Sequence, residues 1–287
     1  MDYRAKVAVV TGASSGIGYD LARELARRGS TVVGVARRAE LLVRLVAECR
    51  AASPASSYLC GDLGERSFAE HVVNETVRVQ GRLDILVNNA GVPSHKQIYD
   101  VSADEVEHLL RVNFLSCVWT TLAAIPHMLV QGGGTIVNVS SMSAKVAPPR
   151  ETAYTASKCA MEGFTAGLWN DLAGSNIHAA LVVPGPIDTE IWAKDETPSA
   201  YKGVKYPPRI VTGAILQAIE KRRHEIVVPK RSPQLVVARF LRFAAPALLR
   251  AGMAAMEPVP AEAVDRARSR ALARRGAPPA SGTSGSS

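Results

Sequence analysis

Tyr154 and Lys158, four residues apart in the run TAYTASKCAMEGF, are the pair in this 287-residue chain best suited to proton chemistry. The run is compatible with a helix, and helical positions i and i+4 share a face. A phenol titrates near pH ~10, so it donates sluggishly at neutrality, and an ammonium group beside it stabilises the phenolate and lowers that value. Spacing alone does not single the pair out, because Tyr201 and Lys205 repeat it. Context separates the two. Counting 13 residues back from Tyr154 reaches Ser141, at the end of the strand-like run TIVNVS. The same count from Tyr201 reaches Asp188, and Gly203, Pro207 and Pro208 interrupt any helix there. Only the first pair has a hydroxyl to bind a substrate oxygen.

A second chemical signal lies near the N-terminus, where Thr11-Gly12-Ala13-Ser14-Ser15-Gly16-Ile17-Gly18 follows an apolar strand and opens a helix. Glycine permits close backbone approach, and the free N–H groups and dipole of a helix start favour a pyrophosphate. Read alone, the segment is also an ordinary tight turn. The letters Gly12-x-Ser14-x-Gly16 further spell a hydrolase nucleophile elbow, which would make Ser14 a nucleophile. That elbow needs an upstream oxyanion loop, and only one strand precedes Ser14. The second strand ends at Val35-Ala36-Arg37-Arg38. A carboxylate in the Ala36 slot would accept from a ribose 2′-hydroxyl and repel a 2′-phosphate. Alanine followed by arginines favours the phosphate form, with Arg37 placed to pair with it and Arg38 beside it. The other reading of the two arginines is a solvated helix start.

Strand-like runs at 6–11, 31–36, 56–60, 84–88, 135–140, 177–184 and 225–229 alternate with segments of helical periodicity at 15–28, 66–80, 103–130 and 154–173. This is the pattern of βαβ units. It predicts an α/β fold, a single Rossmann-type doubly wound domain over 1–230 with a seven-stranded parallel sheet and helices on both faces. Residues 186–209, rich in proline and charge, are expected to be a substrate lid. Residues 231–275 form a basic amphipathic extension, and 276–287, made of Ala, Pro, Gly, Ser and Thr, are expected to be disordered.

These motifs, in order, resemble those of the short-chain dehydrogenase/reductase family over roughly residues 5–230: TGASSGIG at 11–18, Asp62, the Asn88-Asn89-Ala90-Gly91 run, Asn113, Ser141, Tyr154-x-x-x-Lys158 and Pro184-Gly185. The resemblance implies NADP(H)-dependent interconversion of a carbonyl and an alcohol, with hydride moved at the carbonyl carbon and Tyr154 as proton donor. It places Gly12, Ser14, Ser15, Gly16, Ile17, Gly18, Arg37, Arg38, Asp62, Leu63, Asn89, Ala90, Gly91, Pro184, Gly185 and Ile187 around the cofactor, with Thr189 at the nicotinamide carboxamide. Lys158 would hold the nicotinamide ribose as well as lower the phenol's pKa, together with the positive charge of the oxidised nicotinamide. Ser141 would bind the substrate oxygen and Asn113 would hold a water linking Lys158 to solvent. The resemblance also implies a homodimer or homotetramer built on the helices near 103–130 and 154–173.

Composition bounds the remaining possibilities. The net charge of +8 is concentrated at the end: ten Lys/Arg stand against three acidic residues from Lys230 to Ser287. Only Phe240 and Phe243 accompany them, which is too few stacking residues for a nucleic-acid surface, and no nucleic acid is expected as a partner. Over Leu235–Met256 the spacing puts Arg239, Arg242 and Arg250 on one narrow arc of an otherwise apolar helix. Such a helix either makes peripheral contact with anionic lipid or packs beside the active-site mouth, and both point to an apolar substrate, lipid-, steroid- or polyketide-like. No long apolar run follows Met1-Asp2-Tyr3-Arg4, so a cytoplasmic location is expected, membrane association included. The four cysteines and six histidines have no metal-ligand spacing, and no metal is expected. Two alternatives stand beside the main reading: a reductase of carrier-bound 3-ketoacyl thioesters, and a non-catalytic NADP(H)-sensing regulator.

Overall fold

The computed structural model describes residues 2–193, 201, 203–229, 233–256 and 261–276. Seven strands, β1 (Val7–Thr11), β2 (Thr31–Ala36), β3 (Ser57–Cys60), β4 (Ile85–Asn88), β5 (Gly134–Val139), β6 (Ile177–Pro184) and β7 (Glu225–Val228), form one parallel sheet in the order β3-β2-β1-β4-β5-β6-β7. The strand order reverses between β1 and β4, and ligands of such sheets bind outside the strand C-termini at that crevice. Thr11 and Asn88 end the two strands there.

The helices are α1 (Gly16–Arg27), α2 (Ala39–Arg50), α3 (Arg66–Gln80), α4 (Ala103–Leu110), α5 (Ser116–Val130), α6 (Ser143–Val146), α7 (Thr152–Asp171), α8 (Arg209–Glu220), α9 (Pro233–Ala244), α10 (Pro246–Met256) and α11 (Ala261–Gly276). Alternate residues of each strand feed opposite layers. Ala8 and Val10 of β1 pack with Leu21, Leu25, Leu42 and Ile215 of α1, α2 and α8. Val9 between them packs with Val72, Val73, Ala124 and Met128 of α3 and α5. The run Ala103–Val130 is long and apolar enough to cross a membrane by composition, yet its Ala124 and Met128 are fully buried in this second layer.

Between the sheet and the second layer lies a buried polar lattice. Asn88 of β4 donates through Nδ2 to Asn138 Oδ1 of β5 at 2.9 Å, and its Oδ1 accepts from Thr120 of α5 at 2.8 Å. Asn138 Nδ2 in turn donates to Thr165 of α7 at 2.9 Å.

Four features depart from the sequence expectation. Helices α2 and α8 are absent from it, although Leu42, Leu45, Val46 and Cys49 carry a clear helical stripe in α2. Helix α8 begins directly behind Pro207-Pro208, where the irregular segment before it hides its start. The expected 103–130 helix is interrupted by a π turn over Arg111–Leu115. The single amphipathic helix over 235–256 is two helices, because Pro246 has no N–H to continue α9. The arginines therefore do not share one helix: Arg242 of α9 donates to the Ala144 carbonyl of α6, and Arg250 belongs to the next helix. Gly276 ends α11, and the rest of the tail expected to be disordered lies outside the described residues. So do 194–200 and Lys202 of the expected lid.

At the opposite end of the sheet from the crevice, Asp84 ties β4 to β1. Its carboxylate accepts from the Val7 N–H at 3.0 Å, from Lys6 Nζ at 3.0 Å and from Arg82 Nε at 2.7 Å. Burial alone would raise its pKa, but these bonds from Arg82, Val7 and Lys6 outweigh it and hold the carboxyl below its ordinary value. Its contribution to stability is therefore complete above the unfolded value of ~3.9 and is lost as pH falls through the lower folded value. Asp84→Asn should cost about 1.5–3 kcal/mol at neutral pH by urea unfolding. That difference from the wild type should shrink in acid, and a deficit independent of pH would contradict this account.

Candidate active site

The glycine-rich turn is built for close backbone packing. Gly12 has φ +67°, and a Cβ there would lie 2.9 Å from Ala90 Cα. On Gly18 a Cβ would lie 2.4 Å from the Gly12 carbonyl oxygen. Between them Gly16, at φ +57°, lies under Thr189, whose Cγ2 would be 2.9 Å from an added Cβ. The α1 N-terminus carries no side-chain cap from Ser15, so Gly16, Ile17 and Gly18 present their N–H groups at an uncapped helix start. This is a fitting cradle for a pyrophosphate.

Thr11, which the sequence motifs do not mark as a site residue, holds the facing loop. Its hydroxyl accepts from the N–H groups of Asn89 and Ala90, both at 2.9 Å, and donates to Val87 O at 3.2 Å. Asn89 Nδ2 returns a bond to the Thr11 carbonyl at 2.9 Å. The signal is present in the sequence, as a hydroxyl ending a strand immediately before the glycines. At the neighbouring strand ends Asp62 folds back to accept from the Gly64 N–H at 2.8 Å, and Leu63 is buried in the core. Pro184 closes β6 with its carbonyl accepting from Met142 N–H, and Gly185 N–H donates to Val228 O. Ile187 is buried, and its backbone bridges to Tyr206.

The arginines divide differently from the expectation. Arg37 is exposed, with its carbonyl accepting from Cys60 Sγ. Arg38 is the one that reaches the glycine turn, donating to Ser14 Oγ at 3.0 Å and Ser15 Oγ at 2.9 Å while pairing with Glu190 at 2.9 Å. Ser14 thus bonds a guanidinium and not an imidazole, which removes the nucleophile-elbow reading.

At the other side of the crevice Lys158 is 3% exposed, with Nζ donating to Val139 O at 3.0 Å and lying 5.9 Å from the centre of the Tyr154 ring. A methyl group on Gly91 would sit 3.5 Å from that Nζ and 3.3 Å from Asn113 Oδ1, so the three residues meet at one point. Asn113 rides on the π turn, fully buried. Its amide accepts from Val92 N–H at 2.8 Å and donates to Val92 O at 3.0 Å and to Ser157 Oγ at 3.1 Å. Both amide hydrogens are thus spent on the chain itself while Oδ1 keeps one lone pair, and Ser157 is a further residue that sequence reasoning passes over. Ser141 lies within hydrogen-bonding reach of the Tyr154 phenol. The decoy pair is elsewhere: Tyr201 stacks on Trp192 at 5.8 Å between centroids, and Lys205 Nζ lies 4.4 Å from that indole.

Burial pushes the Tyr154 phenol well above its usual range, the charge of Glu151 adds to this, and the Ser141 hydrogen bond opposes it. Burial pulls the Lys158 ammonium down to about 8, with Cys117 opposing.

A model of the short chain dehydrogenases matches residues 6–199, which takes in the crevice, the glycine turn and the Ser141–Lys158 region. The chain belongs to this family. It is similar to a hydroxysteroid 11-beta-dehydrogenase 1-like protein of Danio rerio, 36% identical over 77% of each chain. Among solved structures it is similar to a Burkholderia phymatum short-chain dehydrogenase/reductase in complex with NAD, at TM-score 0.79 and 25% identity over 86% of this chain and 96% of that one. A Sphingobium yanoikuyae short-chain dehydrogenase in complex with NADPH is similar at TM-score 0.73 and 27% identity, over 89% and 97%. The chain is thus an oxidoreductase of this family.

Gly18→Ala should abolish dinucleotide binding, read as loss of the fluorescence change on adding NADPH, because the new methyl group displaces the Gly12 carbonyl. The far-UV spectrum should stay native, and binding within about threefold of wild type would contradict the cradle.

Proposed function

We propose that this protein is an NADP(H)-dependent dehydrogenase/reductase that interconverts a carbonyl and an alcohol on an apolar substrate, with Tyr154 as the proton donor and acceptor. The observation that carries this is the convergence of Ser141, Tyr154 and Lys158 opposite the glycine turn, with Lys158 almost completely buried. Bound NADP(H) supplies or takes up the hydride at the carbonyl carbon. The uncapped start of α1 holds the pyrophosphate. Ala36 offers no carboxylate to repel a 2′-phosphate, and Arg38, already between Ser14 and Ser15, is the guanidinium best placed for it, with Arg37 at the rim.

Ser141 donates to the substrate oxygen, and Tyr154 delivers its proton to the same atom as alkoxide character develops. In the reverse direction the phenolate accepts that proton. Lys158, fixed on Val139 O, places a cation behind the phenol and beside the ribose. Both hydrogens of the Asn113 amide are taken by Val92 and Ser157, so its part in a water path to Lys158 falls to the second lone pair of Oδ1.

Support for an apolar substrate comes from the C-terminal helices. Helix α9 packs on α6, which begins two residues beyond Ser141, and turns Val237, Phe240 and Phe243 to solvent, with Leu248 exposed on α10. Large apolar side chains exposed next to basic residues suit contact with an anionic lipid surface, from which such a substrate would be drawn. The steroid-dehydrogenase-like relative agrees with that class. A homo-oligomer on α5, where Leu122, Leu129 and Val130 are exposed, belongs to the same reading.

A panel of ketones, aldehydes and alcohols, followed by NADPH absorbance, tests the chemistry. Tyr154→Phe should bind NADPH normally and lose at least about 10²-fold in turnover, and retained turnover would sink the assignment. NADPH should also bind more tightly than NADH, and equal affinities would remove the phosphate role of the arginines. Flotation with vesicles containing anionic lipid tests the surface. The full chain should float and Phe240→Ser/Phe243→Ser should not, whereas wild-type protein left at the bottom of the gradient would reject it.

A further inference from the structure

The site contains a chain of hydrogen bonds leading away from the substrate side. Glu151 is the N-cap residue of α7, where an acidic side chain ordinarily folds back onto the helix N–H groups, yet it makes no such bond. Its Oε2 accepts instead from Ser143 Oγ at 2.5 Å. Ser143 Oγ accepts from Ser141 Oγ at 3.1 Å, and the Ser143 N–H donates back to Ser141 Oγ at 3.1 Å. Glu151 and its neighbour His95, whose Nδ1 lies 3.6 Å from Oε1, are largely buried, at 18% and 8% side-chain exposure.

A carboxylate only accepts, and a hydroxyl has one proton, so the directions are fixed. The Ser143 proton is committed to Glu151. The proton of Ser141 then goes to Ser143, one lone pair accepts from the Ser143 N–H, and the one lone pair left is what Ser141 offers Tyr154. In that arrangement Tyr154 must be the donor, so it is held as a phenol. A phenolate would meet that lone pair instead of a proton. A substrate carbonyl draws the Ser141 proton from Ser143 to itself and finds Tyr154 already protonated.

We infer that Glu151, acting through Ser143, is a positioning residue that orients the Ser141 hydroxyl and keeps Tyr154 in its protonated, carbonyl-reducing state. This rests on Tyr154 being the proton donor proposed above. The lowering effect of the Ser141 hydrogen bond on the phenol requires Ser141 to donate to Tyr154; with that proton held by Ser143 the effect is withdrawn, and the charge of Glu151 adds a rise of its own. Among the other ionisable groups around the carboxylate, His95 faces Glu151 itself, while the rest make their contacts elsewhere. His95 comes from the loop after β4, and Arg150 donates to the His95 carbonyl at 3.2 Å. From α6, Lys145 pairs with Glu162 and Glu225, and from α9 Arg242 bonds the Ala144 carbonyl. Tyr154 and Lys158 lie on α7 itself.

The test is an alkaline titration of phenolate absorbance in the full-length protein saturated with NADP⁺, with the Tyr154→Phe trace subtracted so that one tyrosine is read. Glu151→Gln should move the midpoint down by about one pH unit, a tenfold gain in phenolate at a given pH. Ser143→Ala should produce at least half that shift although the carboxylate remains, and Glu151→Asp should titrate near wild type. A Glu151→Gln midpoint coincident with wild type overturns the proposal, as does a phenolate seen in neither protein below the onset of alkaline unfolding. A shift in Glu151→Gln with none in Ser143→Ala overturns the route through Ser143 and leaves only a charge acting through space. Because the readout is absorbance and not turnover, it stands apart from the activity test: retained turnover in Tyr154→Phe would reject the function, while an unmoved titration would reject this role alone.

Discussion

The site depends on two buried amides, Asn88 and Asn138, meeting across adjacent strands at 2.9 Å. Each faces a different helix, Asn88 bonding Thr120 of α5 and Asn138 bonding Thr165 of α7. Both side chains are buried, so every unmade bond would carry the full desolvation cost of a polar group. That penalty makes the lattice selective. Apolar packing alone tolerates a helix sliding along a sheet, whereas a donor paired with one acceptor does not. Helix α7 carries Tyr154 and Lys158, and α5 continues from the turn bearing Asn113, so the lattice sets the register of the residues that must meet at the crevice.

Burial has a common effect on the two central groups, although their numerical shifts have opposite signs. It raises the phenol and lowers the ammonium, and both changes favour the uncharged form. The protein by itself therefore holds a neutral phenol beside a lysine brought down to about 8, still mostly ammonium at neutral pH. A positive nicotinamide and the ribose hydroxyls would tip that balance, which couples proton readiness to dinucleotide binding.

Much of the fold is legible in the sequence because a parallel sheet leaves strong marks. Strands covered on both faces read as apolar runs such as Val7–Val10 and Ile85–Val87, and all seven strands stand within one or two residues of the expected ones, the half-exposed Ser57–Cys60 included. Helix α2 escapes despite a clear stripe at Leu42, Leu45 and Cys49, since the arginines that precede it carry the louder chemical signal. The C-terminal stripe misleads for a definite reason: a wheel drawn through Pro246 carries a phase that the backbone does not. Within the site, residues with distinctive chemistry can be picked out. Those acting by connection cannot, because Ser143, Ser157 and Glu151 are ordinary letters until the fold brings their partners to them. Arg37 and Arg38 show the same limit, as adjacent residues of one type that only side-chain direction can tell apart.

The π turn at Arg111–Leu115 constrains how this chain can change. Such a turn is one residue longer than the α-helical path it replaces, and each added residue rotates the downstream helix by about 100°. A single-residue deletion there would let α4 and α5 merge into one regular helix, a change that improves backbone hydrogen bonding. It would also turn Asn113 away from Val92 and Ser157 and put α4 out of phase with α7. Local regularity and site geometry thus pull against each other at this position, so the length of this segment is fixed to the residue by the site and not by the helix.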